Sequence, residues 1–142
     1  MMRVLALLVG GFLAAISAVV ADPPAEAVTK GQAVVDAFLV RADAGKYGES
    51  WDAASAVLQS SVTRAGWEKA MNDARKPFGV VKSRKLKSAT FSTSIPQAPP
   101  GEYVIVQYDT VFDGLQSAVE TATAMHEKDG SWKVAGYFIR PS

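Results

Sequence analysis

The sequence predicts an α+β fold in which N-terminal helices pack on a curved four-stranded antiparallel sheet. Two Asp-Gly pairs, Asp113-Gly114 and Asp129-Gly130, separate three runs, Glu102 to Phe112, Leu115 to Lys128 and Ser131 to Arg140, the first of them densest in β-branched and aromatic residues. An Asp-Gly pair between apolar runs marks a hairpin, because a type I′ turn needs positive φ at both central residues. Upstream of Gly79 the apolar residues instead recur every three to four positions, the period of a helix. Helices first and strands after give stacked layers, not the alternation that builds a parallel sheet.

Residues 1–21 read as an export signal. Met1-Met2-Arg3 is a short positive start, Val4 to Ile16 is apolar, and Val19-Val20-Ala21 offers small residues at a cleavage site. The uncharged run Val4 to Ala21 sits at the lower edge of membrane-spanning length, so an uncleaved signal would serve as an anchor. Residues 22–142 then form one α+β domain, of a size that can bury a core without staples.

Asp22-Pro23-Pro24 opens that domain as a helix start. From Ala25 to Ala44, Val28, Val35, Phe38, Leu39 and Ala42 make one apolar stripe. Gly45 ends it. A second helix is expected from Glu49 to Leu58, with Trp51, Ala54 and Leu58 on one face. Thr63 caps a third, with Val62 and Trp67 as a hydrophobic staple, and Trp67, Ala70, Met71 and Ala74 repeat at helical spacing until Pro77 forbids continuation. Val80 to Phe91 is the first strand. Ser92 to Gly101, with Pro96, Pro99 and Pro100, is a stiff loop. In the second strand Val104, Val106, Tyr108 and Phe112 share a face, opposite Tyr103, Ile105, Gln107, Asp109 and Val111. In the last, Trp132, Val134 and Phe138 alternate with Ala135, Tyr137 and Ile139, and Gly136 suggests a bulge.

Composition removes several function classes. There are no cysteines, so disulfides, thiol catalysis, thiolate metal sites and lipid attachment at cysteine are excluded. Fifteen basic residues face fourteen acidic ones, and loss of Arg3 with the signal balances them, which favours no polyanionic partner. No Gly-rich phosphate loop or serine elbow is present, and no cofactor is expected. The single histidine, His126, beside the Asp129-Gly130 turn, reads as an exposed polar residue; with no second histidine and no cysteine, no metal site is expected.

Several positions together resemble the secreted bacterial family called domain of unknown function 4019: Trp51, Trp67, Arg75 with Pro77 and Gly79, Arg84, Pro100 to Tyr103, Glu120, and the closing run from Asp129 to Phe138. The order of elements is similar to the cystatin-like α+β roll shared with ketosteroid isomerases. The resemblance implies a roll fold and an export signal, and it lends no catalytic residues.

The isomerase-type roll does imply a place to look for chemistry. There an acid in an apolar pocket acts as a base and a phenol stabilises the enolate. Glu120 or Asp109 would be the base here, and Tyr108 or Tyr137 the donor. The competing expectation, and the preferred one, is that these acids pair with Arg75 or Arg84 and lock the helices to the sheet, a use that needs no catalysis. Six bases between Arg75 and Lys87 (Arg75, Lys76, Lys82, Arg84, Lys85, Lys87) lack stacking aromatics, so they read as guards of a sheet edge and not as a nucleic-acid patch. The tryptophans read as core.

The sequence is therefore read as an exported, non-enzymatic binding or interaction module for a small apolar or amphipathic molecule or a protein partner. The alternative is an isomerase-like or lyase-like enzyme built on the acids and tyrosines. Nucleic acid is not expected as a partner, a membrane enters only if the signal is uncleaved, and no oligomeric state is specified.

Overall fold

The computed structural model of the chain describes residues 22–142; the export signal read in residues 1–21 lies outside the described residues. Four helices, α1 (Pro24–Asp43), α2 (Tyr47–Asp52), α3 (Ala56–Ser61) and α4 (Arg64–Arg75), lead through a 3₁₀ turn at Lys76–Phe78 into β1 (Val81–Ser92), β2 (Tyr103–Phe112), β3 (Leu115–His126) and β4 (Trp132–Pro141). The strands pair antiparallel in sequence order and the sheet stays open, so β1 and β4 are its edges. This is the α+β arrangement the sequence predicts, and it is compatible with the cystatin-like plan. No helix among the described residues is long and apolar enough to cross a membrane.

α1 begins on a proline, whose missing N–H would be unpaired there anyway, and carries Glu26 in its first turn and Arg41 in its last, as the helix dipole favours. Its buried stripe is Ala27, Gly31, Val35, Phe38, Leu39 and Ala42. Gly31 is fixed by contact: a Cβ there would lie 2.5 Å from Val104 Cβ on β2. The helix therefore rests directly on the sheet. Phe38 sits between the rings of Trp67 and Tyr137, at centroid distances of 6.3 and 5.3 Å, in a core shared with Val104, Val106, Ala122, Ala124 and Val134. Trp67 and Trp132 are buried and Trp51 half-buried, its indole N–H donating to Val62 O at 2.9 Å.

The single helix expected over Glu49–Leu58 is two. Ser55 divides it: the hydroxyl accepts from Leu58 N–H at 3.2 Å and caps α3, while its own N–H donates to Val134 O at 2.9 Å, tying the break to β4. The Thr63 cap forms as read, accepting from Gly66 N–H at 3.0 Å.

Two features of the sheet depart from the sequence reading. The hairpin turns are not type I′, since of the two Asp-Gly pairs only Gly130 has positive φ, 87°. The β2–β3 turn instead docks on the 3₁₀ turn, where Gly114 N–H donates to Phe78 O at 2.7 Å and a Cβ would come within 3.0 Å of Pro77 O. The second departure is in β4. Pairing passes from Thr123↔Gly136 to Ala124↔Val134, leaving Ala135 as an extra, bulged residue. The bulge reverses the alternation, so Tyr137 and not Phe138 joins Trp132 and Val134 beneath the helices. Phe138 is 55% exposed.

Candidate functional site

Six elements meet around Glu120. It stands on β3, in register with Tyr108 of β2 and Ile139 of β4, on the helix-facing side of the sheet. α1 ends at Asp43 and α4 at Arg75, while β1 brings Arg84 opposite Thr110. Glu120 is 1% exposed and Arg75 5%. Isolated charges at that depth are costly, so pairing and hydrogen bonding are obligatory.

The pairing is complete. Glu120 Oε1 accepts from Arg84 Nε at 2.8 Å and from the Thr110 hydroxyl at 2.6 Å. Oε2 accepts from the Tyr137 hydroxyl, and from Arg84 Nη2 at 3.3 Å and Arg75 Nη1 at 3.4 Å. Asp43 closes the cluster from outside: Oδ1 accepts from Arg75 Nη2 at 2.6 Å, and both its oxygens accept from Arg84, at 2.9 and 2.8 Å. Two guanidinium groups thus face two carboxylates with no net charge. A carboxylate offers about four lone-pair positions, and those of Glu120 are filled.

The electrostatics follow from this packing. Burial raises the Tyr137 hydroxyl pKa, the neighbouring Glu120 charge raises it further, and Arg75 opposes only in part, so the phenol stays protonated. Burial works against the charge on Arg84, but bonds to Asp43 and Glu120 outweigh it and hold the guanidinium above its ordinary value. Asp43 shows the mirror case: burial would raise its pKa, yet Arg84 and Arg75 bring it below the usual carboxylate range.

A general base needs a free lone pair within reach of a substrate proton. A depression of about 360 Å3 between α1, α4 and the start of β1 is lined by Asp43 and Arg75 but not by Glu120. The four candidate catalytic residues are not gathered in one place. Tyr137 and Glu120 touch. Tyr108, a register neighbour of Glu120, donates its hydroxyl to Asp36 of α1, and burial first, then that bond, raises its pKa. Asp109 is exposed. Of the two expectations for the acids, pairing with Arg75 and Arg84 is what Glu120 shows; Asp109 makes no ion pair among the described residues.

The sequence profile of a family described as a protein of unknown function, DUF4019, matches residues 34–137, from within α1 to within β4. The chain belongs to the DUF4019 family. No curated protein matches it. Within this DUF4019 domain the matched span holds the whole Glu120 cluster, Asp43, Arg75, Arg84, Thr110 and Tyr137 included.

Two further readings meet the structure differently. His126 is not an exposed turn residue: β3 runs through it and the turn begins at Glu127, so its side chain is only 10% exposed. The ring stacks on Trp132 at 4.7 Å with 5° between planes, Nδ1 lies 3.3 Å from Glu102 Oε2, and Nε2 lies 3.2 Å from Gly130 O. The basic cluster, by contrast, divides as an edge guard would. Arg75 and Arg84 turn inward, while Lys82, Lys85 and Lys87 stay exposed on β1, and register shifts at Val81/Ser83 and Leu86/Ser88 make Lys82 and Lys87 bulge residues.

Sequence reasoning missed Asp43, Thr110 and Asp36. Asp43 left one signal. An acid in the last turn of a helix opposes the dipole and calls for a cation nearby.

Proposed function

We propose that this DUF4019 domain is an exported, non-enzymatic binding or interaction module, acting in the periplasm or outside the cell. The observation that carries the reading is the saturation of Glu120: the one fully buried acid among the described residues has every lone pair occupied by Arg75, Arg84, Thr110 and Tyr137. The residues that resembled a base and an oxyanion donor serve to fasten α1, α4 and β1 to the centre of the sheet. The isomerase-like or lyase-like alternative keeps one observation in its favour, the Tyr137 hydroxyl on Glu120. It lacks a free oxygen on that acid to receive a proton.

Phe38, Trp67, Val104 and Val134 pack together in the core between the helices and the sheet. Room for a small apolar or amphipathic ligand, or for a partner protein, lies at the margins of that core, between α1 and the start of β4 and along the seam where α3 and the loop before β2 meet the sheet. The export half of the reading is supported by the charge and hydropathy pattern of residues 1–21.

Native mass spectrometry of the protein purified from the organism that makes it tests both halves. The expected result is a chain beginning at Asp22 that carries an added small-molecule mass or a protein partner. A chain of full mass contradicts cleavage of the signal and leaves it as an anchor, and turnover of a substrate abolished by Glu120→Gln in a protein of unchanged stability contradicts the binding reading.

A further inference from the structure

We propose that the bound molecule is a single-chain amphipathic anion, its apolar chain lying over Gly136 and its head against Lys128 and Lys133. This rests on the binding reading above and names the ligand class of that seam. The apolar end is a depression of about 310 Å3 walled by Ile95, Pro99, Tyr103 and Phe138, with Gly136 among its lining. Gly136 is the telling residue. Its φ is not positive, and a Cβ there would meet no atom within 4 Å, so neither backbone strain nor packing demands glycine. A glycine inside a strand costs stability through lost chain entropy and lost packing. What it keeps is open floor.

Two neighbours point the same way. The bulge at Ala135 turns Phe138 outward, leaving a large apolar side chain on the rim of the depression. The opposite wall holds Gln97 at φ 66°, a left-handed conformation that a non-glycine residue adopts at a cost.

The polar end adjoins it. A second depression, about 700 Å3, shares Val57 and Pro99 with the first and runs between α3 and the β3–β4 turn, past His126, Lys128 and Lys133. The acids of that turn are engaged: Glu127 Oε1 accepts from Ala56 N–H at 3.2 Å, and Asp129 Oδ1 accepts from Ser131 N–H at 2.9 Å and from its hydroxyl at 2.6 Å. His126 faces Glu102. Lys128 and Lys133 make no ion pair among the described residues, although Lys133 lies near enough to Asp129 to help hold that carboxyl below its ordinary value. An apolar trough that opens onto two unpaired ammonium groups is complementary to a long chain ending in an anion.

Calorimetric titration of the exported chain with dodecanoate and with dodecanol, both below micelle formation, tests this. Saturable dodecanoate binding is expected, weakening about tenfold for each two carbons removed. Replacing Lys128 and Lys133 together by Gln should cost dodecanoate at least about fivefold and leave dodecanol unchanged. Gly136→Leu should abolish both without lowering the melting temperature. Absence of saturable dodecanoate binding overturns the proposal, as does a Lys128→Gln, Lys133→Gln protein that binds like the parent. Sedimentation with phosphatidylglycerol vesicles in the absence of dodecanoate binding also overturns it, in favour of a membrane surface. A different retained ligand in native mass spectra, with no dodecanoate binding, sinks this inference and leaves the binding reading standing.

Discussion

The Glu120 cluster and the Gly136 depression are built on the same two strands, β3 and β4, and they are opposites. In the first, an acid, two arginines, a threonine and a tyrosine satisfy one another around a carboxylate that is almost fully buried. In the second, a glycine with no contact to justify it and a half-exposed phenylalanine face outward beside unpaired lysines. Glu120 and Tyr137, which look reactive in the sequence, are bound to each other inside the fold. The residues that look like filler border the space where a ligand fits.

Four substitutions or conditions put this contrast to the test. The largest effect is expected from Arg75→Met, which leaves Glu120 buried with one cation fewer; removing one partner of a buried pair costs about 3–5 kcal/mol. Denaturant unfolding measures it, and a loss below about 1 kcal/mol would mean that the cluster is not what locks the helices to the sheet. Next comes Gly31→Ala. Its Cβ would meet Val104 at 2.5 Å, and overpacking of this kind costs about 1–3 kcal/mol.

The acid limb of the stability curve should show a smaller effect. Because the folded pKa of Asp43 lies below its ordinary value of 3.8, its contribution is fully present above that value and is lost as pH falls through the folded one. Asp43→Asn should therefore flatten the decline below about pH 4, seen in urea unfolding across a pH series. An unaltered acid limb would remove Asp43 from the cluster. The smallest effect is the reverse in sign: Gly136→Ala should be neutral or stabilising by up to about 1 kcal/mol, since the new methyl enters empty space on a strand. If it destabilised as Gly31→Ala does, the difference between a closed and an open glycine would vanish.

Much of the architecture was legible because it is encoded locally. The Thr63 cap, the α1 stripe and the apolar runs of β2 declare themselves within a few residues of sequence. What was not legible is decided between distant elements. The break at Ser55 depends on Val134 O, far along the chain. The outward turn of Phe138 depends on which residue of β4 is bulged, and Gly136 only hinted at that. His126 was misplaced because β3 runs through it before the turn begins at Glu127 and because Trp132 comes to lie flat against it. At the candidate site, Glu120 stood out as an acid in an apolar strand, and Arg75 and Arg84 as its partners. Asp43 left only its unfavourable place at a helix C-terminus and Thr110 left no signal, since only tertiary closure brings α1 and β2 to the same point.

The buried acid is proposed to hold the fold together and not to perform chemistry, and thermal unfolding of Glu120→Gln decides whether the fold needs it. The side chain keeps its shape and loses its charge, leaving Arg75 and Arg84 to share Asp43 alone. The melting temperature is expected to fall by about 10 °C, as a loss of a few kcal/mol implies for a domain of this size. An unchanged melting temperature would contradict the claim and return Glu120 to the list of catalytic candidates.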